Sequence, residues 1–169
     1  MQTVCASLII LALSLLSACG FFEADALYKS GSQALERGEY QECIQQLEKA
    51  KALLPSASSV IRNNLGVCYD QVGRKKDAFY EYRQAVINNH QNNAALKNFH
   101  SNWKHFKQHG ILVTGASANS IIEHMGEPDF KKKASDEIGE IWGYGNDQML
   151  VIWARHTLEN HNGKVSKID

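Results

Sequence analysis

The sequence predicts an α+β protein, with helical hairpins followed by a small domain in which a helix packs on a three-stranded antiparallel sheet. Three observations indicate this fold class. Small and large residues recur 35 positions apart between residues 31 and 90, with helical spacing within each copy. After Gly110 the pattern changes to short apolar runs of strand length. The length leaves room for one medium domain or two small ones. The 18 Lys and Arg balance the 18 Asp and Glu, so the chain is formally neutral and gives no support for a nucleic-acid partner.

An uncharged apolar run, VCASLIILALSLLSAC, occupies residues 4–19. It is shorter than the roughly 20 residues that a membrane-spanning helix needs, and the polar stretch after it contains no stop-transfer pattern. These features indicate that residues 1–18 form a secretory signal peptide rather than an anchor helix. A basic n-region is missing, because Lys29 is the first basic residue, so either the terminal amine suffices or the true start lies upstream of Met1.

The run ends in LSAC at 16–19, which resembles the lipobox of bacterial lipoproteins. The resemblance implies cleavage before Cys19 and attachment of a diacylglycerol and a further acyl chain, such as palmitate, to that residue. Two or more chains give stable anchoring where one is marginal. Gly20, where inner-membrane lipoproteins carry Asp, implies the periplasmic face of the outer membrane, with residues 19–23 as a lipid-anchored tether. The alternative is an ordinary signal peptide with a coincidental Cys.

Residues 24–108 are predicted to form two helical hairpins and a further helix. Small residues at helical spacing let two helices approach closely, and large residues fill the space between them. The recurring positions are Gly31, Gly38, Tyr40, Cys43, Leu47, Ala50 and Pro55 in the first copy and Gly66, Gly73, Lys75, Ala78, Tyr82, Ala85 and His90 in the second. This pattern resembles the tetratricopeptide repeat, although both copies lack the early Trp of that family.

Two repeats bury little apolar surface on their own, and the segment NNAALKNFHSNWKHFKQHG supplies a third element. Leu96, Phe99, Trp103 and Phe106 fall on one helical face, which predicts a capping helix packed on the second repeat. We expect Trp103 to pack in the core rather than to stack on a ligand.

The repeat resemblance implies a concave groove, lined by the first helix of each hairpin and by the capping helix. On that register the expected partner-binding residues are Tyr28, Leu35, Asn63, Val67, Asp70, Asn98 and Asn102. The set lacks the Lys and Arg residues that clamp a peptide carboxylate in some family members. Two alternatives stay open: the groove binds a helix or an extended peptide of an envelope protein, or it packs on the second domain.

Cys43 and Cys68 are the cysteines that remain once Cys5 leaves with the signal peptide and Cys19 is acylated. An exported protein meets an oxidising compartment, in which this pair can form a disulfide. The alternative is two buried thiols that pack as small apolar residues.

Residues 109–169 are predicted to form the small α+β domain. The stretch ILVTGAS has strand-like residues and ends in Ser117, a suitable N-cap for a short helix that stops at Gly126. Three strands are predicted in EIWGYG, QMLVIWARHTLE and KVSKI, and the Asn-Gly pair at 162–163 is a strong hairpin signal. The basic run at 131–133 is interpreted as a solvated turn, with contact to anionic lipid headgroups as the alternative.

The string GASANSIIEHMGEP, together with Trp142, Tyr144 and the NGKV sequence at 162–165, resembles the BamE (SmpA/OmlA) family of outer-membrane lipoproteins. The resemblance covers residues 113–168 and implies helices packed on a three-stranded antiparallel sheet. It further implies protein binding near the outer membrane, through this domain or through the repeat groove.

No motif for catalysis, cofactor binding or metal binding stands out in the sequence. His105 and His109 share a helix face, but no HExxH or CxxC supplies the further ligands of a zinc site. A GxSxG elbow and a glycine-rich phosphate loop are also missing. The sequence therefore predicts a lipid-anchored, non-enzymatic adaptor without cofactor, acting in outer-membrane protein assembly or envelope maintenance. The alternatives are a pilotin-like carrier for a secretin or pilus system and, from another class, an envelope hydrolase or metal-binding protein.

Overall fold

The structure is a computed structural model, and it describes residues 20–54, 58–113, 115–133, 139–145, 150–154 and 164–168. Five helices come first: α1 (20–36), α2 (Tyr40–Leu53), α3 (Ser59–Gln71), α4 (Lys75–Asn88) and α5 (Asn93–Gln108). A short helix and four strands follow: α6 (Ala118–Met125), β1 (Phe130–Lys133), β2 (Gly139–Gly143), β3 (Leu150–Ala154) and β4 (Lys164–Ile168). We call residues 20–108 the repeat segment and residues 110–168 the C-terminal segment.

Several sequence predictions fall outside the described residues. They are the signal peptide, the acylated Cys19, the repeat position Pro55 and the Asn-Gly hairpin at 162–163. Within the described ranges, no helix has the length and apolar character needed to cross a membrane.

The two hairpins close with the same turn, 35 positions apart. Gly38 and Gly73 have φ angles of 75° and 80°, in the left-handed region that favours glycine. In both hairpins the residue after the glycine donates its amide to the carbonyl five residues back, at 2.9 Å. The structure therefore confirms a repeated helical hairpin, formed by α1 and α2 and again by α3 and α4.

Glycine also lets the two helices of each hairpin touch. A Cβ atom added at Gly31 would lie 2.7 Å from the side chain of Leu47, and one added at Gly66 would lie 2.7 Å from the ring of Tyr82. Leu47 and Tyr82 are buried. The prediction that helices approach closely at small residues, with large residues filling the space between them, is confirmed at this position in both copies.

A disulfide joins Cys43 of α2 to Cys68 of α3, with their Cα atoms 6.3 Å apart. Both residues are fully buried, so the bond lies in the core between the first hairpin and the second. Of the two alternatives for these cysteines, the structure has the bonded form.

Helix α5 covers the open side of the second hairpin. Phe79 of α4 stacks on Phe99 at a centroid distance of 5.2 Å and meets Phe106 edge-on at 5.1 Å. Trp103 is buried beside them, so it packs in the core as expected. Tyr144, which follows β2, lies 6.1 Å from Phe79 and 6.2 Å from Trp103. The core is therefore continuous from the hairpins into the C-terminal segment.

The sheet is an antiparallel meander in the order β1-β2-β3-β4. Strands β2, β3 and β4 overlap the three predicted strands, but a three-stranded sheet is not confirmed, because β1 adds a further edge strand. The interpretation of Lys131–Lys133 as a turn is wrong, since these residues pair with Glu140–Trp142 while their side chains are exposed. A strand without apolar alternation gives no periodic signal, and lysines on an edge discourage pairing with other chains.

Residues 111–113 form bends rather than the strand that ILVTGAS predicts. The amides of Ile111 and Leu112 both donate to the carbonyl of Phe106, at 3.0 and 3.1 Å, which folds the chain back onto the end of α5. Leu112 is buried there. These apolar residues therefore contribute to the core instead of a sheet.

Helix α6 begins and ends where the sequence predicts. The hydroxyl of Ser117 accepts a hydrogen bond from the amide of Ser120, which caps the first turn. Gly126 ends the helix with a φ of 81°. Its apolar residues Ile121 and Met125 are fully buried, so the helix packs its apolar face onto the core.

Candidate protein-binding groove

Helices α1, α3 and α5 lie side by side, and we call the surface that they share the A-helix face. Three of its predicted binding residues are half-buried apolar side chains: Tyr28 and Leu35 on α1 and Val67 on α3. Each packs partly against the hydrophobic core. Their remaining exposed area is apolar surface that a partner can cover.

Carboxamide side chains connect the three helices across this face. Asn98 of α5 donates through Nδ2 to Oδ1 of Asn63 on α3 at 2.9 Å. Asn63 donates to Oδ1 of Asn64 at 3.4 Å, and Asn64 donates to the hydroxyl of Ser32 on α1 at 3.5 Å. A carboxamide has two N–H donors and an oxygen with two lone pairs. The half-buried Asn64 and Asn98 therefore keep capacity for hydrogen bonds to a partner.

Asp70 and Asn102 are engaged within the protein. Oδ1 of Asp70 accepts from Nζ of Lys75 at 2.6 Å, and Oδ2 accepts from Nδ2 of Asn102 at 3.4 Å. Asn102 is buried. Burial, together with the charge of Asp70, raises the pKa of Tyr82, so that its hydroxyl stays protonated. Asp70 and Asn102 therefore join α3 to α4 and α5. The surface accessible to a partner comes from the half-buried apolar side chains described above.

Sequence reasoning missed Asn64 and Lys75 as members of this set. Asn64 is adjacent to Asn63, and the helical spacing of the groove positions selects only Asn63 of the two. Lys75 begins α4 and reaches back across the turn to Asp70. The available signal was the pair of opposite charges on either side of the turn glycine Gly73.

A buried carboxylate supports the hairpins from inside. Glu81 of α4 is almost fully buried and pairs with Nζ of Lys51 on α2 at 2.8 Å and with Nη1 of Arg62 on α3 at 2.8 Å. A carboxylate in this position is tolerated because two cations and their hydrogen bonds compensate its charge. The cluster fixes the three helices relative to one another.

The C-terminal segment is held on α4 and on the buried side of α5. Arg83 of α4 is 4% exposed and places Nε 3.2 Å from Oδ1 of Asp129. Oδ2 of Asp129 accepts the amide of Gly145 at 2.7 Å, and the ring of Tyr144 lies 5.2 Å from the guanidinium of Arg83. Among the described residues, these contacts between the two segments lie on a surface other than the predicted groove residues.

An open cavity of about 430 Å³ lies where the second hairpin turn meets α5 and α6. It is lined by residues 73–77, His105, Phe106, Ile111, Glu123 and His124. Burial lowers the pKa of His105, and His109 and Lys75 lower it further, so the neutral ring is favoured. In the part of the chain that the structure describes, no group of three or more His, Cys, Asp or Glu side chains is arranged to hold a metal ion.

The Arabidopsis OM64 TPR domain is a solved structure similar in fold, with a TM-score of 0.50 at 10% sequence identity. The match covers 54% of this chain and 74% of that chain. No known protein family and no curated protein matches the sequence. At this identity the likeness concerns the fold alone. Together with the repeated hairpins it shows that the chain contains a tetratricopeptide-like fold.

Proposed function

We propose that this protein is a non-enzymatic adaptor that binds a segment of a partner protein along the A-helix face. The observation that supports this role is that half-buried Tyr28, Leu35 and Val67 share one face with the linked carboxamides of Asn63 and Asn98. Apolar side chains contribute burial, and carboxamides can pair with the backbone groups of a helical or extended segment. The tetratricopeptide-like fold agrees with protein binding.

The adaptor is, in this proposal, anchored to the periplasmic face of the outer membrane through acylated Cys19. The lipobox at 16–19 supports the anchor, and the Cys43–Cys68 disulfide fits an oxidising compartment. The resemblance of residues 113–168 to the BamE family supports a role in outer-membrane protein assembly or envelope maintenance. The C-terminal segment is then a second surface that a partner can use.

The groove can be tested by placing a photoreactive amino acid at Val67 of the full chain and irradiating intact cells. The matched control carries the same amino acid at Gln45, which is exposed on α2 and lies off the A-helix face. We expect a discrete crosslinked protein from position 67 and none from position 45. Mass spectrometry of the product then identifies the partner.

The identity of that product separates the related hypotheses. Components of the barrel-assembly machinery would support the assembly role, and secretin or pilus components would support the pilotin-like carrier. Equal crosslinking from both positions, or none from position 67, would contradict partner binding along the A-helix face.

The anchor has its own test, which is membrane fractionation of a Cys19→Ala variant. We expect the variant to leave the membrane fraction while keeping the circular dichroism spectrum of the wild-type protein. A variant that stays in the membrane fraction would contradict acylation at this residue.

The competing hypothesis of an envelope hydrolase or metal-binding protein draws its support from the open cavity, whose lining includes His105, Glu123 and His124. Purified protein should show neither peptidoglycan cleavage nor stoichiometric zinc if the adaptor proposal is correct. Peptidoglycan cleavage or stoichiometric zinc in the wild type would favour the competing hypothesis if a His124→Gln variant loses it.

A further inference from the structure

The first turn of α1 carries two exposed aromatic side chains. Phe21 is 62% exposed and Phe22 is 73% exposed, which makes them the most exposed large apolar side chains in the described part of the chain. Their rings meet edge-on, with centroids 6.4 Å apart. An exposed aromatic pair of this kind marks a surface that contacts something else.

The position of this pair relative to the core explains its exposure. Ala24, one turn further along α1, is fully buried, and Gly31 contacts Leu47 of α2. Phe21 lies on the same side of the helix as Ala24 but before the part of α1 that the repeat covers. The apolar side of α1 therefore continues beyond the end of the hairpin core.

The pair also lies directly after the predicted acylation site. The chain is helical from residue 20 onward, so the described part of the predicted tether at 19–23 is helix. Phe22 follows Cys19 by three residues, and a chain of that length spans at most about 10 Å. Side chains this close to an acylated cysteine would lie at the bilayer surface.

The charges around the pair do not favour attraction to anionic lipids. Glu23 is adjacent, and Asp25 is neutralised by Lys29, with Nζ and Oδ2 at 2.7 Å. The first turns of α1 thus carry a small negative charge. Contact with a membrane at this end must come from apolar burial rather than from electrostatic attraction.

We propose that Phe21 and Phe22 insert into the interfacial region of the bilayer and hold α1 against the membrane. Phenylalanine is among the residues with which helices lying at a membrane surface bury their apolar side at the boundary between headgroups and acyl chains. This surface extends the proposed lipid anchor: the acyl chains attach the protein, and the aromatic pair fixes the first hairpin at the surface. The A-helix face is then presented at a defined height above the bilayer.

The exposed lysines of β1 offer a different route to the membrane, with a different signature. Lys131 is held by Glu127 at 2.9 Å and lies over the ring of Trp142 at 4.5 Å, whereas Lys132 and Lys133 project from the edge strand. Binding through these cations would weaken as salt screens the charges. Membrane binding through Phe21 and Phe22 depends on apolar burial, so added salt would not weaken it.

The test uses residues 19–169, the predicted mature chain, with one tetradecyl chain coupled chemically to Cys19. Cys43 and Cys68 are joined in a disulfide, so Cys19 is the single free thiol of this chain. One acyl chain gives marginal membrane binding, with an association constant of about 10⁴ M⁻¹, so an added aromatic contribution is measurable. Partitioning onto phosphatidylethanolamine and phosphatidylglycerol vesicles is followed by sedimentation.

The variant is Phe21→Ser with Phe22→Ser, and the control is Val60→Ser with Tyr80→Ser, whose native side chains are 47% and 45% exposed elsewhere. We expect the aromatic variant to lose roughly tenfold or more in partitioning, since burying a large apolar side chain contributes more than a factor of ten. The control variant should partition onto the vesicles as strongly as the wild type. Adding about 0.5 M NaCl should leave the partitioning of both proteins unchanged.

Equal partitioning of the aromatic variant and the wild type would overturn the proposal. Loss of wild-type binding in salt would instead point to the β1 lysines. Because the acyl chain is attached in vitro, the result does not depend on whether cells acylate Cys19. Failure of the lipid anchor and failure of the aromatic contact are therefore distinguishable.

Discussion

The repeat segment and the C-terminal segment are stabilised in different ways. In the repeat segment one small-to-large contact occurs twice, at Gly31 with Leu47 and at Gly66 with Tyr82. The C-terminal segment has one short helix and an exposed edge strand, and its junction with α4 consists of the Arg83–Asp129 ion pair and the shared core at Phe79 and Tyr144.

This difference predicts unequal local stability. Contacts between successive hairpins support one another along the repeat segment, whereas the C-terminal segment depends on a small junction. We expect its strands to open at a lower free energy than α2 to α4. The following predictions test this contrast, from the largest expected effect to the smallest.

Phe79→Ala should have the largest effect, because this fully buried ring contacts aromatic side chains of both segments. Truncating a buried phenylalanine costs about 3–5 kcal/mol of unfolding free energy. Urea denaturation, followed by circular dichroism and by tryptophan fluorescence, should show the loss in both signals. Tyr80→Ala, at the exposed neighbouring position, should change little. A loss in only one of the two signals would contradict a shared core.

Removing the disulfide with Cys43→Ala and Cys68→Ala should lower the unfolding free energy by about 3.5 kcal/mol, on a chain-entropy estimate for the loop that it closes. The reason is that the cross-link restricts the unfolded repeat segment. Hydrogen exchange should therefore accelerate in α2 and α3. A reductant should destabilise the wild type and leave the double variant unchanged; equal responses would show that the bond contributes nothing.

Asp129→Asn should weaken the junction, because it leaves Arg83 buried without a counter-charge. We expect a loss of about 2 kcal/mol, below the range for fully buried pairs because Asp129 is partly exposed. Faster hydrogen exchange should appear in β1 and β2 but not in α2. Asp77→Asn, which removes the exposed pair with Arg74, should cost about 0.5 kcal/mol or less. Similar losses in the two variants would show that the Arg83–Asp129 pair contributes no more than an exposed ion pair.

Acidification should have the smallest effect, through His105 between the two segments. Burial holds its pKa below the ordinary value, so the unfolded chain binds a proton before the folded one does. Its stability contribution is present above about pH 6.5 and is lost as the pH falls through the lower folded pKa. Urea midpoints measured at about pH 7.5 and about pH 5.5 should differ less in His105→Gln than in the wild type. His90→Gln, at an exposed loop position, should keep the wild-type difference.

The hairpins could be predicted because their determinants are local and repeated. Gly38 and Gly73 mark equivalent turns, and the small and large residues of both copies keep one spacing. The same holds for α6, whose beginning at Ser117 and end at Gly126 are set by neighbouring residues.

The missed features are not local. Strand β1 is lysine-rich and carries no alternation, so only its pairing with β2 reveals it. Arg83 and Asp129 lie on different segments, and nothing near either residue in the sequence points to the other. Asp70 and Asn102 are predicted from their helical register, which gives no sign that their side chains bond to each other and to Lys75 within the fold.

The disulfide has a consequence for the timing of maturation if the chain is exported as proposed. A reducing cytoplasm keeps thiols reduced, so the precursor would lack the covalent link between its hairpins. A less stable precursor is easier to keep unfolded for passage through a translocation channel. Oxidation on the far side would then complete the fold, and the protein would reach full stability only at its destination.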